Sequence, residues 1–266
     1  MGLLMMTEPE TVHNGKVMGF IKLPIVRRIL KPVFYAYPYL VGSRLASRKL
    51  KRLADKCDGG IEQLIDLAFN FEYKQLHRSW LVIIRPLQVK SELTSLCETI
   101  KELKPKVIVE IGTANGGTLF FYTRVADPEK IVSVDLPSGS FGGGYPYWKI
   151  PFFKALGKKN VVQLVRADSH REETLSKVKE LLNGKKVDYL FIDGDHTYEG
   201  VKQDFLMYSP LVRKGGIVVF HDVLKVKEKI GCDVDKFWNE IKQQYPHAEL
   251  IEDPNQNWAG IGILYP

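Results

Sequence analysis

Val107-Ile108-Val109-Glu110-Ile111-Gly112-Thr113-Ala114-Asn115-Gly116-Gly117-Thr118-Leu119-Phe120-Phe121 is the stretch on which the fold of this chain is read. Apolar β-branched residues lead into an acid, then a glycine-rich turn, then a segment whose composition suits a helix. That order predicts a buried parallel strand, a tight loop and a helix start. Gly112, Gly116 and Gly117 permit close backbone approach, and the first helical turn offers N–H groups without intrahelical partners. An ordinary βα connection is the competing reading; a nucleotide-type cofactor is preferred.

Working outward, the chain alternates between strand and helix patterns. Strands are expected at 107–111, 131–135, 161–166, 188–192, 216–220, 247–252 and 259–264. Helices are expected between them at 116–125, 147–157, 171–183, 197–209 and 233–244. The last three carry apolar faces: Leu175, Val178 and Leu182; Val201, Phe205 and Tyr208; Val234, Phe237, Trp238 and Ile241. Upstream, 61–71 and the segment from Val89 to Leu103 read as helices, and 80–88 as an extended segment that meets Pro86. The pattern predicts an α/β fold, a doubly wound Rossmann-like seven-stranded sheet. Its last two strands, joined by Asp253–Asn257, form a C-terminal antiparallel hairpin. Residues 1–84 are expected to be a basic, largely helical extension, and 85–266 the main domain.

With 266 residues, 45% hydrophobic and 26% charged, the chain has the composition of a soluble globular protein with one sizeable core. Cys57, Cys97 and Cys232 are scattered and odd in number, which excludes a disulfide framework and points to a reducing cytoplasm. No secretory signal is expected at the start, and Met6 stands where myristoylation needs Ser or Thr. Residues 1–54 hold ten Lys/Arg against Glu8 and Glu10, leaving 28 basic and 29 acidic residues in the remainder. The basic character therefore belongs to the N-terminal segment. Between Lys16 and Asp55 there is no acid; apolar and aromatic residues alternate with cations, and the basic run Arg44–Arg52 follows. Residues 16–52 fit either helices packed on the core or a peripheral contact with an anionic membrane. Nucleic acid is not expected, because no binding module is present and the body is neutral. A homo-oligomer is left open.

Open α/β sheets bind ligands beyond the carboxyl ends of their strands. Polar residues cluster there. The second strand ends in Asp135, 23 residues after Gly112, and the third in Arg166-Ala167-Asp168-Ser169-His170. The fourth runs into Asp193-Gly194-Asp195-His196-Thr197-Tyr198 and the fifth into His221-Asp222. Two adjacent strand ends thus bring three carboxylates and two imidazoles toward one cleft. His196 is the preferred general base, since an unperturbed imidazole titrates near neutrality, with Asp195 as the alternative. Tyr145, Tyr147 and Trp148 could close over a ring-shaped acceptor.

The spacing Glu110-x-Gly112-x-x-x-Gly116 resembles motif I of the class I methyltransferases that use S-adenosylmethionine; Ala114 interrupts the dinucleotide pattern G-x-G-x-x-G. The resemblance implies that Glu110 faces the methionine ammonium and that Gly112, Thr113, Ala114 and Gly116 pass under the cofactor. It implies that Asp135 holds the ribose hydroxyls, that Asp168 and Ser169 are candidates for the adenine, with capping of the following helix as the equal alternative, and that Asp193 lies beside the methyl position. The Asp193–Tyr198 pattern, the Lys214-Gly215-Gly216 turn, His221-Asp222 and the Ser138–Gly144 loop are similar to the macrocin O-methyltransferase and cephalosporin hydroxylase-like group. That likeness covers about residues 85–265. In metal-dependent members the matching positions hold Mg²⁺; carried over, these are Asp193 and Asp222, with His221 where an acid is preferred, which leaves room for Mn²⁺ or a similar ion, or for no metal. The implied reaction is O-methylation of a sugar hydroxyl or a glycosylated small molecule or lipid. A nicotinamide-dependent oxidoreductase is the enzyme alternative, disfavoured by Ala114 and the hairpin. A non-catalytic, membrane-associated cofactor-binding protein is the other, disfavoured by Asp193, His196 and Asp222.

Overall fold

The computed structural model describes residues 36–75, 80–137, 144–225 and 231–266. The first part of the basic stretch, 16–35, and residues 138–143 of the glycine-rich loop lie outside the described residues. A π-helical turn, Pro38–Gly42, leads into α1 (Ser43–Ala54), followed by α2 (Ile61–Asn70), the short antiparallel pair β1 (Glu72–Tyr73) and β2 (Val82–Ile83), and α3 (Lys90–Leu103). The sheet then begins: β3 (Val107–Ile111), α4 (Gly117–Val125), β4 (Lys130–Asp135), α5 (Ile150–Lys154), β5 (Val162–Arg166) and α6 (Glu172–Leu182). It continues with β6 (Val187–Ile192), α7 (Tyr198–Tyr208), β7 (Val212–His221), α8 (Val234–Ile241), β8 (His247–Leu250) and β9 (Ile261–Leu264).

The seven strands order as β5-β4-β3-β6-β7-β9-β8. β5 through β7 are parallel, and β9 inserts antiparallel between β7 and β8. This is the doubly wound sheet with a closing hairpin that the alternation predicts. Every residue of β3 is buried because helices cover both faces. Ile108, Ile131, Tyr189 and Phe191 face one way, packing with α3, α4 and the N-terminal helices through Leu93, Leu96, Phe120, Leu50 and Ile65. Val109, Val132, Val134 and Leu190 face the other way, against Leu175, Val178, Val201 and Phe237 from α6, α7 and α8. The reversal of strand order lies between β3 and β6, with α4 starting on one side of it and α7 on the other.

Element ends differ from expectation where the backbone forbids continuation. The helix expected at 147–157 is a 3₁₀ turn, Tyr147–Lys149, followed by the five-residue α5, whose first turn carries Pro151. β9 starts at Ile261 rather than 259, because Ala259 and Gly260 have φ of 59° and 81°, outside the β region. β7 begins four residues early, at Val212, with a register irregularity against β6 between Val187 and Tyr189.

Candidate active site

The loop after β3 is held by crowding. Gly112 has φ 98°, and a Cβ there would lie 1.9 Å from the backbone oxygen of Asp193, so only glycine lets the β3 and β6 ends come this close. Ala114 follows at φ 44°, and Gly116 at φ 81° precedes α4. The N–H groups of Thr113 and Ala114 donate to Asp135 Oδ2 at 3.1 and 2.8 Å, and Gly144 N–H donates to Oδ1 at 2.8 Å. Asp135 therefore ties the glycine-rich loop to the chain that returns after residue 143. Burial raises its carboxyl from the ordinary value, against the pull of those N–H groups.

Glu110 lies one layer deeper, fully buried in the middle of the sheet. The Thr118 hydroxyl donates to Oε1 and the Ser133 hydroxyl to Oε2 at 2.6 Å, with Thr113 Oγ1 2.5 Å from Ser133 Oγ. Burial pushes the carboxyl up to about 8, with the two hydroxyls pulling down. The hydroxyls of Thr118, Ser133 and Thr113 form a layer around this carboxyl, which keeps its proton at neutral pH. Parallel pairing sets Glu110 opposite Ser133, a register that the sequence does not disclose.

At the ends of β6 and β7 the titratable groups interlock. Asp193 Oδ2 accepts from Gln88 Nε2 at 3.0 Å, and its Oδ1 lies 3.2 Å from His221 Nδ1. His196 Nδ1 is 2.7 Å from Asp222 Oδ2, and its Nε2 is 3.8 Å from Asp193 Oδ1. Cys232 Sγ stands 4.0 Å from Asp222 Oδ2. Burial alone would lower the His196 pKa, but Asp222, Cys232 and Asp193 outweigh it and raise it to about 10. The near-neutral titration expected for this imidazole is therefore corrected: it keeps a proton at neutral pH. His221 is raised as well, by Asp193 and Asp222 acting against burial.

Candidate ligand atoms of Asp193, His221 and Asp222 lie within 4.8 Å of one another, as do those of His196, Asp222 and Cys232. Asp193, His221 and Asp222 suit a cation that tolerates imidazole, such as Mn²⁺, better than Mg²⁺. The buried Nε2 of His221 makes no hydrogen bond among the described residues.

Asp195 and Asp168 are turned into their own loops. Asp195 Oδ1 accepts from Thr197 N–H at 2.9 Å, packed so tightly on Gly200 that a Cβ there would lie 2.2 Å from its Cγ. Asp168 Oδ1 accepts from His170 N–H at 2.9 Å just before α6, and the Ser169 carbonyl accepts from the Tyr208 hydroxyl at 2.9 Å. The Asp195 and Asp168 contacts are turn and capping geometries, whereas the Tyr208 bond ties α7 to the loop before α6. Tyr145 is buried with its ring 4.8 Å from that of Phe153, while Tyr147 is exposed.

A cleft runs between Arg85–Gln88 and Gly112–Asn115, and Gly117, Thr118 and Asp193 also line it. Sequence reasoning missed Gln88, Thr118, Ser133 and Cys232. Ser133 carried a signal, a hydroxyl within an apolar strand two residues from Asp135 and so on the same face. Gln88 carried none, since its partner lies 105 residues away.

Residues 109–223 match the model of the methyltransferase domain family Methyltransf_24. An uncharacterized protein of Sinorhizobium fredii is 27% identical over 170 residues, 62% of this chain and 18% of that protein. A rhamnosyl O-methyltransferase of Mycobacterium leprae is 23% identical over 143 residues, 52% of this chain and 58% of that one. The chain spans 58% or less of the length of the curated relatives it matches. The crystal structure of the O-methyltransferase TomG from Streptomyces achromogenes, in complex with SAM, superposes with a TM-score of 0.52 at 17% identity. That likeness covers 76% of this chain and 89% of the other, and is one of fold.

Proposed function

We propose that the methyltransferase domain carried by residues 109–223 makes this chain an S-adenosylmethionine-dependent O-methyltransferase. The acceptor in this proposal is a hydroxyl on a sugar or a glycosylated small molecule or lipid. The observation that carries the reading is an unbroken run of contacts along the strand ends. It leads from Asp135 through Thr113, Ala114 and Gly112 to Asp193, and on to His196, His221 and Asp222. The run supports a reading in which Asp135 takes the ribose and His196 with Asp222 serves the acceptor hydroxyl at the other end of one edge. The name of the M. leprae relative supports the sugar acceptor.

Bound S-adenosylmethionine supplies a methyl group already activated by its positive sulfur. What remains for the chain is to bind, align and take a proton. Asp135 accepts from a ribose hydroxyl on Oδ1, which takes the Gly144 N–H and keeps a lone pair to offer. Asp193 offers negative charge to the cationic end, while Glu110, protonated at neutral pH, lies behind it in the sheet as a neutral hydrogen-bonded group. Asp222 holds His196 through Nδ1, so in the neutral form of the ring, a minority at pH 7 that grows toward pH 10, Nε2 is the nitrogen that takes the acceptor hydroxyl's proton. A divalent cation held by Asp193, His221 and Asp222 would lower that hydroxyl's pKa. The test is transfer of labelled methyl to a panel of glycosides. His196→Ala should lower turnover about 10²–10⁴-fold while S-adenosylhomocysteine affinity stays near wild type. Equal turnover in the two proteins would remove His196 from the role of base.

A further inference from the structure

We infer that the exposed side of α1, with the turn before it, is a docking face for an anionic lipid surface, and that it borders the ligand-binding edge of the sheet. α1 buries Ser43, Ala46, Ser47, Leu50 and Ala54. Its outward side carries Arg44, Arg48, Lys51 and Arg52, which recur at helical spacing. None of the four forms an ion pair among the described residues. Lys49 is different: it donates to the Glu72 carbonyl and lies over the Phe71 and Tyr73 rings, so its charge is spent within the protein. No acid occurs from Ala36 to Ala54.

Large apolar side chains share the outward side. Leu40, Val41 and Leu45 are 50%, 42% and 37% exposed. Leu or Val held in water beside cations gains nothing from a nucleic acid backbone, which asks for charge alone. A bilayer interface uses both, taking the apolar groups below the headgroups and the cations among them. No helix among the described residues is long and apolar enough to cross a membrane, so the contact is in-plane.

Three contacts fix where this face lies. The ring of Tyr39 stacks on that of Tyr147 at 5.3 Å and 7°. The Ser43 hydroxyl donates to the Trp148 carbonyl at 2.5 Å. Arg166, the last residue of β5, stands 5.4 and 5.8 Å from the ring centroids of Tyr145 and Tyr147. Tyr145 follows Gly144, whose N–H is bound by Asp135 at the end of β4. The turn before α1 therefore abuts the carboxyl edge of the sheet, where exposed Leu136 and Tyr147 add apolar surface. An enzyme docked on this face would meet an amphiphilic acceptor from the membrane side. That consequence alone rests on the methyltransferase reading.

The experiment is co-sedimentation of the full chain with vesicles of phosphatidylcholine alone or with a quarter phosphatidylglycerol, at low and high salt. Wild type should bind the anionic vesicles, leave the neutral ones, and lose binding at least about tenfold in high salt. The triple variants Arg44→Gln/Arg48→Gln/Arg52→Gln and Leu40→Ser/Val41→Ser/Leu45→Ser should each lose about tenfold while binding S-adenosylhomocysteine as wild type does. Undiminished vesicle binding by both variants, or none by wild type, overturns the docking face. So does binding to a single-stranded RNA homopolymer in place of vesicles. Vesicle binding without S-adenosylhomocysteine binding would instead sink the methyltransferase reading and leave the face standing.

Discussion

Glu110 shows how a residue can be correctly singled out and still have its chemistry set by neighbours. Its position before Gly112 was legible; its enclosure by Thr118 and Ser133 was not, because that depends on the β3–β4 register. Burial holds its carboxyl at about 8, above the ordinary carboxylate value. The folded state therefore binds a proton that the unfolded chain has already released. The associated stability is full below about pH 4.5 and is lost as pH rises through about 8. Glu110→Gln should remove that slope: between pH 5 and 8.5 the urea midpoint should fall more in wild type than in the variant. The difference should be on the order of a few kcal/mol. Parallel slopes would mean that Glu110 is ionised in the folded protein. His196 makes the second residue-scale prediction. With its pKa raised to about 10, the base form grows as pH rises, so the methyl-transfer rate should climb from pH 7 toward 10. A flat rate over that range would contradict the assignment.

Among elements, the strand and helix pattern was legible because β3 to β7 are apolar runs separated by amphipathic helices, and periodicity reads such segments well. Expectation failed at single backbone positions: Pro151 shortening α5, Ala259 and Gly260 trimming β9, and the irregularity that extends β7. The same kind of local constraint governs the β3–α4 loop and gives two predictions of opposite sign. Gly112→Ala would place a methyl against a backbone oxygen at a φ that L-residues avoid, so it should destabilise the protein by about 3 kcal/mol or more and abolish cofactor binding. Ala114→Gly relieves a left-handed alanine and should be neutral or stabilising by up to about 1 kcal/mol. Thermal melts of the two variants check both; a wild-type melting temperature for Gly112→Ala would show that the β3 and β6 ends are not packed as described.

For the whole molecule, the terminal hairpin was legible from two strand patterns joined by a five-residue loop, and it separates this sheet from one that continues parallel. The convergence of Asp193, His196, His221 and Asp222 was legible from strand ends alone, since every parallel strand delivers its last residues to one edge. The coverage of that edge by Gln88 and by the turn before α1 was not, because both depend on packing across long sequence separations. The proposed activity turns on this edge binding an S-adenosyl nucleoside. Calorimetric titration of the full chain with S-adenosylhomocysteine and, separately, with NAD tests it most directly. One saturable site is expected for S-adenosylhomocysteine and none for NAD, with Asp135→Ala weakening the former by roughly 1.5–3 kcal/mol through lost hydrogen bonds to a charged group. Tighter binding of NAD, or S-adenosylhomocysteine binding indifferent to Asp135→Ala, would contradict it.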